Sequence, residues 1–63
     1  MSPQPEISKT ILVVDDDQVI LNTLVLILKS RGYKPMIARD GPETLACIRR
    51  EKPDLILLDL MFP

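Results

Sequence analysis

A chain of 63 residues has room for one small domain, and at that length only about 60% of the surface exposed by the unfolded chain is buried on folding. Hydrophobic residues make up 46% and charged residues 27%, a globular composition, yet one Tyr, one Phe and no Trp leave the packing to aliphatic side chains. Eight Lys and Arg, scattered among nine Asp and Glu, argue against a nucleic-acid surface; the single Cys47 excludes an internal disulfide, and no apolar run approaches the ~18 residues that span a bilayer.

The opening MSPQPEIS holds two prolines and little apolar content, so residues 1–8 read as a loose tail. It has neither the basic start nor the apolar stretch of a secretory signal, and a cytoplasmic protein is expected. TILVV, Thr10 to Val14, is a short β-branched run of the kind that forms a strand buried on both faces. From Gln18 to Arg31, Ile20, Leu24, Ile27 and Leu28 recur at spacings of three and four and predict one helical face. Asp17 suits the N-cap, Lys29 and Arg31 suit the last turn, and Gly32 suits the left-handed residue that ends many helices. Leu26 falls opposite Leu24 and reads as a single exposed leucine, which surfaces commonly carry.

KPMIAR, Lys34 to Arg39, has a proline near its start and charges at both ends, the marks of an edge strand. DGPE then makes a turn, with Pro42 at the first helical position and Glu43 in the first turn of a helix that runs to about Lys52, with Leu45 and Ile48 as its core face. Pro53 and Asp54 end it, and LILLDL, Leu55 to Leu60, is a third strand as apolar as the first. Strand, helix, strand, helix, strand with crossovers of this length implies a parallel α/β sheet. Right-handed connections and the edge character of the second strand favour the spatial order 2-1-3.

In that order the C-terminal ends of strands one and three are neighbours about 4.8 Å apart, in the crevice where open α/β sheets bind ligands. Asp15 and Asp16 follow the first strand, and Asp59 lies near the end of the third. Two unit charges about 4 Å apart repel by roughly 4 kcal/mol at an effective dielectric near 20, so such a group needs a counter-charge. Mg²⁺ answers that need, because it takes one or two carboxylates, keeps some waters and leaves room for phosphate oxygens. Asp59, set in an apolar strand, is the candidate nucleophile. A lone Asp after a strand is commonly a helix cap, and Asp17 reads as one; the pair Asp15 and Asp16 gains weight only because Asp59 arrives beside it.

The stretches ILVVDDD (Ile11 to Asp17), RGY (Arg31 to Tyr33), ARDGPETL (Ala38 to Leu45) and KPDLILLDLMFP (Lys52 to Pro63), with their mutual spacing, resemble the first half of a receiver domain, the phosphoacceptor module of bacterial response regulators. The resemblance runs from Lys9 to Pro63. It implies a flavodoxin-like (CheY-like) three-layer α/β fold, of which this βαβαβ stretch is the N-terminal half, truncated after strand three. It implies that Asp59 accepts a phosphoryl group from a histidine kinase or a histidine phosphotransfer protein. Asp15 and Asp16 match the acidic pair that holds Mg²⁺, Asp16 more directly, and the backbone carbonyl of Met61 matches the position that completes the metal's coordination. Pro63 matches a proline that shapes the following loop, Phe62 replaces a frequent methionine, and helix one in this family contributes to docking the histidine-bearing partner.

The hydroxyl residue, lysine and aromatic switch residue of the second half of such domains all fall beyond Pro63, so weak phosphorylation and no signal output are expected of this stretch by itself. An open LILLDL edge also invites self-association. Two other readings stay in view. One is a phosphohydrolase of the haloacid-dehalogenase type, for which DDDQV supplies the second acid but not the Thr expected soon after it; the other is an interaction module without chemistry. With no His in the chain, Cys47 belongs to no Cys-His nucleophile or zinc site and reads as a packing residue.

Overall fold

The computed structural model describes residues 9–58, and over them it shows β1 (Thr10–Val14), α1 (Gln18–Ser30), β2 (Lys34–Ala38), α2 (Gly41–Glu51) and β3 (Leu55–Leu58). The tail 1–8 and positions 59–63, which include Asp59 and Met61, lie outside the described residues. All the strand pairings are parallel and the order is β2-β1-β3, as the pattern of crossovers requires.

Because β2 and β3 flank β1 on opposite sides, right-handed crossovers place α1 and α2 on opposite faces of the sheet. Side chains of β1 alternate between the two. Ile11 and Val13 pack with Leu21, Leu24 and Leu28 of α1, whereas Leu12 and Val14 pack with Ala38, Met36, Cys47 and Ile48 on the α2 side. Ile11, Leu12, Val13 and Val14 are all buried, which is why the sequence of β1 is continuously apolar. Among the described residues the helices contact β1 and β2, and β3 packs on β1 alone. Leu55, Ile56, Leu57 and Leu58 therefore remain between 37% and 54% exposed, and β3 is the open apolar edge its sequence suggested.

The rotation of both helices differs from the one expected. Leu21 is fully buried, while Ile20 and Ile27 are 41% and 46% exposed. On α2, Cys47 is buried and Ile48 packs beside it, while Leu45 faces out. The exposed Leu26 and the packing role of Cys47 are as expected.

Caps fix the helix ends. One Asp17 carboxylate oxygen accepts from the N–H groups of Val19 and Ile20 at 2.9 and 3.4 Å. At the other end of α1, Gly32 N–H donates to Lys29 O and Tyr33 N–H to Leu28 O, each at 3.0 Å, the paired bonds of a Schellman ending. Gly32 carries the required left-handed φ of 86°. Asp40 caps α2 by accepting from Glu43 N–H at 2.8 Å, Glu43 accepts in turn from Arg39 N–H at 2.7 Å, and Pro42 occupies the second helical position rather than the first. Lys52 ends α2 at φ 49°, a conformation that costs a non-glycine residue roughly 1–2 kcal/mol, and its N–H is satisfied by Ile48 O.

From that turn Asp54 reaches the start of β1. Its Oδ2 accepts from the Thr10 N–H at 2.8 Å and the Thr10 hydroxyl at 3.0 Å, while Asp54 N–H donates to Thr10 O at 2.9 Å. The Thr10 N–H first and its hydroxyl next hold the Asp54 carboxyl below its ordinary value of 3.8, against a smaller opposing effect of desolvation, with the charge of Lys9 the least of the four causes. A carboxylate held low in the folded state stabilises above its unfolded pKa, and that contribution disappears as pH falls through the folded pKa. Asp54→Asn should therefore melt lower than the native chain at pH 7, and the gap between the two should close as melts are taken at successively lower pH below 3.8.

Candidate functional site

Val14 of β1 pairs with Ala38 on one side and with Leu58 on the other, so the three strands end level. Asp15 continues the ladder by one bond, donating its N–H to Ala38 O at 3.2 Å. Its side chain is 4% exposed, and Oδ1 accepts from the backbone N–H of Asp17 at 2.9 Å. Asp16 and Asp17 are exposed. The acidic run thus divides into three roles: Asp15 is buried and tethered, Asp17 caps α1, and Asp16 stands between them with its carboxylate turned to solvent and no protein hydrogen bond among the described residues.

Beside Asp15 opens a cleft of about 290 Å³, whose other walls include Val13, Ile20, Leu24, Leu57 and Leu58. Asp15 is the charged residue in an otherwise apolar lining. A wider depression of about 340 Å³, next to Lys9, Tyr33 and Asp54, lies at the opposite end of the strands. The Asp15 cleft is the more relevant, because open α/β sheets bind ligands at the C-terminal ends of their strands where the chain reverses direction across the sheet.

No basic side chain neutralises Asp15 or Asp16: among the described residues the ion pair is Arg50 with Glu51 at 3.3 Å. Hard carboxylate oxygens with free lone pairs and no protein counter-charge fit a Mg²⁺ ion, which is content with one or two carboxylates and water. Among the described residues no group of three metal-ligating side chains comes together, and the third acid, Asp59, and the Met61 carbonyl lie outside them. Of the four expected metal positions, Asp15 and Asp16 lie among the described residues. The apolar walls contributed by Ile20 and Leu24 were missed in the sequence, where the spacing of α1 residues carried no mark of what they face.

Known proteins are similar to this chain in sequence. The profile of the response regulator receiver domain matches residues 11–63. The chain is 48% identical over 56 residues to the alkaline phosphatase synthesis transcriptional regulatory protein PhoP of Bacillus subtilis, covering 89% of this chain and 23% of that protein. It is 43% identical over 53 residues to the DNA-binding response regulator MtrA of Mycolicibacterium paratuberculosis, covering 84% of this chain and 24% of that one. It is also 39% identical over 54 residues to the probable transcriptional regulatory protein TcrX of Mycobacterium tuberculosis, covering 86% and 23%. The chain spans about a quarter of the length of these curated relatives. With a profile matched over most of its length, and strands in the order 2-1-3 with an acidic run after the first, the chain belongs to the response regulator receiver domain family of two-component signalling.

Proposed function

We propose that this chain carries the phosphoacceptor site of a receiver: Asp59 takes a phosphoryl group from the phosphohistidine of a histidine kinase or phosphotransfer protein, with Mg²⁺ held by Asp15, Asp16, Asp59 and the Met61 carbonyl. The observation that carries the proposal is one of register. Leu58 pairs with Val14; Asp15, which follows Val14, is buried at that end of the sheet, and Asp59 is the residue that follows Leu58 in the sequence. In the transfer a carboxylate oxygen of Asp59 forms a bond to phosphorus as the bond from phosphorus to the imidazole nitrogen breaks, and the electron pair stays on the imidazole. Bound Mg²⁺ supplies charge neutralisation between the carboxylates and the phosphoryl oxygens. Asp15, tethered through Oδ1, keeps the adjoining loop in place, and Asp16 presents its carboxylate to the solvent side.

Family membership supports this reading over the phosphohydrolase. Ile20, which is 41% exposed and lines the Asp15 cleft, gives the histidine-bearing partner an apolar contact beside the site. The test is mass spectrometry of the purified chain after incubation with Mg²⁺ and a small phosphoramidate donor. A mass gain of one phosphoryl group is expected in the native chain and its complete loss in Asp59→Asn. Equal gain in Asp59→Asn would sink the assignment.

A further inference from the structure

We propose that Asp17 is a positioning residue for the metal, acting through Asp16 and not as a ligand; this rests on the reading of Asp15 and Asp16 as metal-holding residues. The residue between two fixed neighbours inherits its position from them. On one side Asp15 is pinned twice, by its N–H to Ala38 O at 3.2 Å and by its Oδ1 to the Asp17 N–H at 2.9 Å. On the other side Asp17 is pinned by its own carboxylate, which accepts from Val19 and Ile20 N–H, and by its carbonyl, which accepts from Leu21 N–H at 3.0 Å. Leu21 is the fully buried residue of α1, so this chain of bonds ties the acidic loop to the core.

Asp16 has no bond of its own to hold it among the described residues, and its side chain is exposed. Mg²⁺ demands near-ideal octahedral geometry and gives up water reluctantly, so its affinity depends on how well a carboxylate is held before the ion arrives. Groups that orient a ligand from behind typically change metal affinity 10- to 100-fold when removed. Without the Asp17 carboxylate, that end of the loop keeps its backbone bonds to Leu21 and Asp15 but loses its hold on the first turn of α1. Capping supplies this effect rather than charge: Ser caps as well as Asp while carrying none.

The experiment is a Mg²⁺ titration of the purified full chain, followed by the amide NMR shifts of Asp15 and Asp16, in the native sequence and in Asp17→Ala, Asp17→Ser and Asp16→Ala. Asp17→Ala should bind Mg²⁺ about 10-fold more weakly, at the low end of the range for such groups. Asp17→Ser should stay within about twofold of the native chain, since its hydroxyl restores the cap. An unchanged affinity in a folded Asp17→Ala would show that the cap serves the helix alone, and would overturn the proposal. So would an Asp17→Ser as weak as Asp17→Ala, since charge would then be the cause. If Asp17→Ala loses its dispersed spectrum, Asp17→Gly, which costs the helix less stability but equally lacks the side-chain oxygen that accepts from Val19 and Ile20, takes its place with the same expectation. Asp16→Ala separates the two levels: loss of saturable shifts there with no effect at Asp17 overturns only the positioning role, whereas unchanged shifts in Asp16→Ala overturn the metal site as well.

Discussion

Leu21→Ala should lower the unfolding free energy by about 2–5 kcal/mol, the range for truncating a buried leucine. Leu21 is fully buried against Ile11 and Val13, and Leu24 and Leu28 pack on the same cluster. A domain of this size has a total stability of only roughly 3–9 kcal/mol, so much of the variant should be unfolded at room temperature. The comparison that makes this informative is Leu26→Ala, five residues along the same helix and 70% exposed, which should change stability by no more than about 0.5 kcal/mol. Urea titrations followed by circular dichroism measure both. Equal effects from the two truncations would mean that α1 does not present Leu21 to the sheet, and the assignment of the α1 face would have to be abandoned.

The other large effect concerns association. The purified chain should sediment as oligomers, and the double substitution Leu55→Lys with Leu57→Lys should return it to a monomer. Leu55 and Leu57 pair with Ile11 and Val13, so both belong to the sheet face that carries α1, where the helix covers β1 but leaves them 52% and 37% exposed. β3 has no charged residue between Leu55 and Leu58, whereas the other edge, β2, begins with Lys34 and Pro35. Lysine on an edge strand is a common natural device against strand-to-strand joining, and β3 lacks it. Val19 and Leu26 are about as exposed as any apolar residue here, at 71% and 70%, but they sit on a helix with no free backbone edge. Lysine at those two positions should leave the sedimentation unchanged. A native chain that already sediments as a monomer would refute the role assigned to β3.

The legible parts of the fold were those written in local chemistry. β1 declared itself because both its faces are buried, and the ends of α1 because Asp17 and Gly32 have one obvious use each. The rotation of the helices was not legible in the same way. In α1 apolar residues occupy nearly the whole circumference, so the expected face of Ile20, Leu24, Ile27 and Leu28 and the observed one of Leu21, Leu24 and Leu28 both fit the spacing, and the sheet decides between them. In α2 the inward face is Cys47 with Ile48, and a cysteine carries less hydrophobic signal than the exposed Leu45. The Asp54 clamp on Thr10 joins residues 44 apart in the chain and had no local signature. At the site, the sequence already set the capping Asp17 apart from the pair Asp15 and Asp16, and the structure added what spacing does not encode, that Asp15 is buried and tethered while Asp16 is exposed.

The central place of β1 has a consequence for how the protein is made. β1 is synthesised before either of its neighbours, and the contact between Thr10 and Asp54 closes only after 44 further residues have been added. At about 5–20 residues per second, that is a delay of several seconds at the slower rates. During it a β-branched, uncharged segment with two sticky faces lacks first both flanking strands and then, once β2 is made, still β3. The strand that later becomes the least accessible part of the molecule is thus the one whose exposure lasts longest on the ribosome, and it is there that a nascent chain of this kind most needs a chaperone.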